Sequence, residues 1–301
     1  MIKPNRNRLI ALTAGISILA TIVAGIYFFG GSSGGSPQGE IAFVLKNGSN
    51  MDIFVFKADG SDKRQLTIDP AIDDWPVWSP DGQRIAFTSR RDGFPRIYVM
   101  NADGSGQAPL FPDDSETSFQ PTWSPDGKQI AFVSRRDGNL EIYAKSIDGS
   151  GLTRLTNDAN FDWMPRWSPK GDQIAFVSGR DGNWEVYIMN ADGSNQNSLS
   201  RSEAYDSEPF WSPDGNRIAF TTTRGGHRGV YLMNADGSNA ISLTDMEDDN
   251  MQAGWSPDGE WIVFVVAAGT NAEIFIARVE GSTPINLTRS ALDDVRPAWR
   301  P

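Results

Sequence analysis

The 301-residue chain contains no cysteine and only one histidine, His227. The first absence excludes disulfides, thiolate metal sites, a cysteine nucleophile and an acylated amino-terminal cysteine, and the second excludes a histidine-based metal cluster. Positive charge is also scarce, with 27 Lys and Arg against 38 Asp and Glu, a net charge of −11. Lys3, Arg6 and Arg8 are the only charges in residues 1–39, so the remainder carries −14 once those three are set aside. A surface this acidic repels phosphate backbones and argues against nucleic-acid binding. What the chain has in quantity is 16 Phe, 10 Trp, 30 Gly and 18 Pro: core-filling rings and the residues of tight turns.

Long apolar runs are confined to one place. Leu9 to Phe29 is a stretch of 21 uncharged residues, about 31 Å as a helix and enough to cross one hydrocarbon core. Basic residues precede it and none comes soon after it, so residues 1–8 are expected to be a cytoplasmic tail and the chain beyond Phe29 to be extracytoplasmic. The apolar part is longer than a cleaved signal peptide uses, and no clean small-x-small site lies beyond it, which favours an uncleaved anchor. Residues 30–39 then read as a Gly/Ser linker. The Gly31-x-Ser33-x-Gly35 within it has neither a strand before it nor a helix after it, as a hydrolase nucleophile turn requires.

From residue 40 onward the chain repeats. Tryptophans at 78, 123, 167, 211, 255 and 299 are separated by 45, 44, 44, 44 and 44 residues, the period of four-stranded propeller blades. Within the period recur Trp-Ser-Pro-Asp-Gly, Ile-Ala-Phe, Arg-Asp-Gly, Ile-Tyr, Asn-Ala-Asp-Gly-Ser and Leu-Thr. In the unit Asp162 to Ser200, strands are expected at Pro165–Trp167, Gln173–Ser178, Glu185–Met189 and Asn197–Ser200, with Ser-Pro-x-Gly and Asn-Ala-Asp-Gly turns between them. The first unit lacks an inner strand and the last has one to spare. Residues 40–301 therefore form an all-β, six-bladed propeller of four-stranded antiparallel blades, its ring closed by the terminal strands and preceded by the one transmembrane helix.

These repeats resemble the blades of the TolB propeller family, in Trp-Ser-Pro-Asp-Gly, Ile-Ala-Phe and Arg-Asp-Gly as they stand at Trp78–Gly93 and Trp123–Gly138. The resemblance covers essentially all of residues 40–301 and implies the fold. TolB-like propellers serve as scaffolds, docking domains and gates. Where that family carries an α/β domain ahead of the propeller, this chain has the apolar stretch and linker.

The turns after the first and third strands fall on one face of the ring, and the more variable second-to-third loops and blade crossovers fall on the other. Variable loops on a rigid scaffold are the expected binding face. There, five residues before each tryptophan, stand Asp73, Ser118, Asp162, Asp206, Asn250 and Asp294. Arg91, Arg136, Arg180 and Arg224 recur four residues after the Phe of Ile-Ala-Phe. A ring of these carboxylates and guanidiniums at the channel mouth would bind a cation, a sugar or a peptide terminus; equally, each Asp could order its own turn or pair with a nearby arginine. Repetition favours the structural role. Departures from the pattern point to a protein-docking surface instead: Trp75, Phe119, Trp163, Met164 and Met251 in the crossovers, and Phe94, Leu140 and Trp184 in the second-to-third loops. His227 reads as an exposed loop residue. No metal site, cofactor or catalytic set emerges, and the expected function is a membrane-anchored envelope module that binds an envelope or extracellular protein. A ligand-sensing propeller is the alternative.

Overall fold

A computed structural model describes residues 35–244 and 248–301. The expected tail and membrane helix, and most of the linker, lie outside the described residues. Among those that are described, no helix is long and apolar enough to cross a membrane.

Ser36–Pro301 forms one compact unit of 24 strands in six four-stranded antiparallel sheets. Five sheets are built from consecutive strands. The sixth takes β24 (Asp293–Trp299) from the end of the chain and places it inside β1 (Glu40–Asn47), followed by β2 (Asn50–Lys57) and β3 (Arg64–Gln65). Ile41 pairs with Trp299 and Lys46 with Asp293 across this seam, so the ring closes as its repeat arithmetic requires.

The type blade consists of β12 (Asp162–Trp167), β13 (Gln173–Ser178), β14 (Glu185–Asn190) and β15 (Asn197–Ser198). The second strand has the bounds expected of it, the third runs one residue longer and the outer strand is two residues shorter. The inner strand differs more, starting three residues earlier than Pro165. The cause is a bulge, which shifts the register between Trp163 and Arg166 and lets the strand continue through a proline. Proline has no N–H to place in a ladder, so a bulge is where a strand tolerates one.

The core lies between blades. One cluster joins Ile53, Val55 and Leu66 of the first blade to Ile85, Phe87 and Tyr98 of the second. The Phe of each Ile-Ala-Phe equivalent (Phe43, Phe87, Phe132, Phe176, Phe220 and Phe264) is fully buried, each contributing roughly 1.5–3 kcal/mol relative to exposure. The turns are also explained locally. In Asn-Ala-Asp-Gly-Ser, Asp192 accepts both the N–H and the hydroxyl of Ser194. Gly193, at φ +87°, lies so close to the preceding blade that a Cβ would stand 2.6 Å from the Leu155 carbonyl oxygen.

Candidate functional site

The repeated charges form clasps within the blades. Arg91, Arg180 and Arg224 each donate to the buried carboxylates of Asp73, Asp162 and Asp206 at 2.9 Å. Ser118 offers no carboxylate, and Arg136 pairs instead with Asp114 at 2.9 Å. Asp294 has Asn47 where the arginine would stand, and its nearest cation is Lys63 at 3.7 Å. The same arginines lie over aromatic rings of their own blades, as Arg180 does over Tyr187. The Asp of Arg-Asp-Gly accepts the hydroxyl of the third-strand tyrosine, Tyr98 to Asp92 at 2.7 Å, with Tyr143–Asp137 and Tyr187–Asp181 alike. Burial pushes the carboxyls of Asp73, Asp162 and Asp294 above their ordinary range despite the neighbouring cations. A ring of free carboxylates at the mouth is therefore not what these residues make. Turned into their own blades, they tie the second-to-third loop to the inner strand.

Several residues expected in crossovers lie instead in the inner strands β4 (Asp73–Trp78), β8 (Ser118–Trp123), β12, β16 (Asp206–Trp211), β20 (Asp249–Trp255) and β24. Every one of these strands carries the bulge. Its hallmark is a residue three before the tryptophan with φ between +54° and +56°: Trp75, Gln120, Met164, Glu208, Gln252 and Arg296. Glycine is the residue that adopts this region without cost, yet none of the six is glycine. Their side chains interlock around the channel. Gln120 accepts the Met164 N–H at 3.0 Å, Glu208 accepts that of Gln252 at 2.9 Å, and Gln252 accepts that of Arg296 at 2.8 Å. Arg296 donates to Asp74 and lies over the Trp75 ring at 4.1 Å. Trp75 thus lines the channel, and Met164 is buried in its inner strand.

This wall encloses a cavity of about 380 Å³, within the roughly 300–1,000 Å³ of small-molecule sites. It opens among the Ser-Pro turns, with Pro80, Pro125, Pro169, Pro213, Pro257 and Pro301 around it. The face with short, near-identical turns therefore holds the larger cavity. The sequence held a signal for it: the inner-strand positions one, three and four before each tryptophan vary from blade to blade.

On the opposite face, a second cavity of about 300 Å³ lies where two blades meet, between Phe161, Trp184 and Tyr205. Trp163 and Trp184 pack with ring centroids 5.2 Å apart. Phe161 is 44% and Tyr205 57% exposed, and neither was singled out from sequence. The position of Gly179 is occupied by Arg90, Arg135 and Thr223 in other blades; a Cβ there would stand 3.2 Å from the Trp184 ring. Phe94 and Phe119 are half-buried on other blades and do not join this cluster. Leu140 is buried, and His227 is exposed.

A closed ring of six four-stranded blades around a walled channel defines a β-propeller. Residues 21–157 and 110–301 match the TolB beta propeller domain family, and the chain belongs to it. Among curated relatives, the Tol-Pal system protein TolB of Syntrophus aciditrophicus is 39% identical over 71 residues, 22% of this chain and 16% of that protein. The match thus spans less than a fifth of that relative's length. Among solved structures, TolB from Acinetobacter baumannii superposes with TM-score 0.79 at 24% identity, over 89% of this chain and 68% of that one. An oligogalacturonate lyase from Vibrio parahaemolyticus gives 0.58 at 14% identity, over 83% and 74%. At these identities the superpositions speak to the fold alone.

Proposed function

We propose that this protein is a docking propeller of the cell envelope, held at the membrane by Leu9–Phe29 with its ring on the extracytoplasmic side, binding another protein without catalysis. The observation that carries this reading is the aromatic cluster of Phe161, Trp163, Trp184 and Tyr205 at one blade junction, with exposed rings flanking a glycine-floored hollow. Large exposed aromatic surface at a departure from the repeat is what a protein hot spot needs. Membership of the TolB propeller family and kinship with a protein named for the Tol-Pal system support an envelope setting. The non-catalytic part of the reading is supported by the use of the recurrent Asp and Arg pairs in intra-blade clasps.

The test is crosslinking in the native host followed by purification of the full chain, comparing wild type with Tyr205→Ala and Trp184→Ala. Recovery of a specific envelope protein is expected to fall at least tenfold in each variant while the melting transition of Tyr205→Ala stays at the wild-type temperature. Unchanged recovery in both variants would refute docking at this junction.

A further inference from the structure

The channel contains a cation that the protein itself leaves without an acceptor. Arg166 lies one residue before Trp167 in β12 and lines the cavity. Among the described residues no oxygen accepts a hydrogen bond from its guanidinium; its one recorded neighbour of this kind is the face of Phe210, 5.3 Å away. Enclosure lowers its pKa to about 10, the nearby charge of Glu208 only partly opposing the effect. Glu208 is turned elsewhere: its Oε2 accepts the Gln252 N–H at 2.9 Å and the Thr221 hydroxyl at 2.8 Å. The other channel arginine, Arg296, pairs with Asp74 and lies over Trp75, with only its Nε lacking an acceptor.

Trp167 adds a second, independent observation. Trp78, Trp123, Trp211 and Trp255 donate their indole N–H to the carbonyls of Ala298, Val77, Arg166 and Phe210 in the preceding blade, at 3.1–3.3 Å. Trp299 donates to Gln38 at 2.8 Å. Trp167 also lines the cavity, and its enclosed N–H has no acceptor. One wall therefore carries unused donors on two adjacent residues. Of the two, only the indole N–H is fully shielded, which makes its lack of an acceptor costly; the guanidinium is half-buried and faces the channel. A bound group that supplies oxygen acceptors would pair with that open guanidinium.

The chemistry of the acceptor follows from the walls. A guanidinium presents a planar fork that matches the two oxygens of a carboxylate. The rest of the lining is mostly tryptophan and proline rings, with Val77, Phe210 and Ala298, which fits an apolar body. Glu208 in the same cavity opposes a second negative charge and so disfavours a phosphate dianion. We propose that the channel mouth binds a monocarboxylate carried on an apolar body, its oxygens paired with the Arg166 guanidinium. This site stands apart from the aromatic junction on the other face, and neither proposal depends on the other.

Calorimetric titration of the full chain, with protein-free blanks, uses two matched pairs of probes. They are N-acetyl-leucyl-phenylalanine with a free carboxylate or as its amide, and 4-phenylbutyrate or 4-phenylbutanamide. The acid of at least one pair is expected to bind at least tenfold more tightly than its amide. Preference for the peptide acid assigns the site to a polypeptide end, and preference for phenylbutyrate assigns it to a free organic acid. Arg166→Gln should erase the acid–amide difference and Arg166→Lys, which keeps the charge but loses the fork, should reduce it. Arg90→Gln, on an exposed arginine, should leave it intact. Equal binding of acids and amides, no binding of either acid at millimolar concentration, an undiminished preference in both Arg166 variants, or inorganic phosphate competing as strongly as the acids would overturn the proposal.

Discussion

An aspartate such as Asp162 performs a structural task at an energetic cost that depends on pH. Its carboxyl is raised above the ordinary value of 3.8 chiefly because burial penalises the charge, although Ser178 and Arg180 pull the other way. A carboxyl whose pKa is higher folded than unfolded binds its proton more readily in the native state. Its unfavourable contribution is therefore full above the folded pKa and fades as pH falls toward the unfolded value near 3.8. An asparagine at this position carries no titrating proton and would be blind to the change. The stability difference between wild type and Asp162→Asn is expected to widen in favour of wild type as pH falls from 7 to about 4, measured by urea unfolding at several pH values. A gap that narrows would show that the Arg180 pair, and not burial, governs the group. The turn aspartates work in the opposite sense. Asp81 and Asp126 are held below their usual value by the hydroxyls of Ser79 and Ser124, so what they contribute is present above the unfolded pKa and is lost as pH falls through the folded one.

At the scale of the element, the inner strand explains why tryptophan recurs. Its indole reaches back to the preceding blade and fastens one inner strand to the next, as Trp211 does at the Arg166 carbonyl. Replacing Trp211 with phenylalanine removes that bond, at a cost of about 0.5–1.5 kcal/mol beyond the lost ring volume. Trp167→Phe has no such bond to lose and should cost less, a ranking that parallel denaturant melts would check. Much of this element was legible beforehand. The 44-residue period announced the blade, and the turn motifs placed the second strand to the residue. The bulge was not legible, because an αL conformation at Trp75 or Met164 leaves no mark in side-chain identity when glycine is not used. For the same reason the crossovers read as longer than they are, and channel-wall residues were grouped with loop residues. The Arg–Asp pairing was visible as one of two possibilities. Only the geometry, with each carboxylate buried under its own loop, decides between them.

The whole molecule is held by a seam. β24 belongs to the same sheet as β1, and the first blade has no inner strand without it. Ending the chain after Leu292 would expose the edge of β1 and open the cluster in which Trp299 packs against Ile41 and Trp261. An unpaired edge of this kind recruits other chains. The shortened protein is expected to lose its cooperative melt or to elute as oligomers in size-exclusion chromatography; a monomer with the wild-type melt would show that closure contributes little. The seam also sets a schedule. Ile41 leaves the ribosome well before its partner Trp299, which follows on the order of ten to fifty seconds later at roughly 5–20 residues per second. Throughout that interval the blade begun first is the blade that cannot be completed, so the newborn chain carries an open strand edge until β24 arrives. A factor that shields Glu40–Asn47 during this wait would govern the yield of the finished ring without touching any contact found in it.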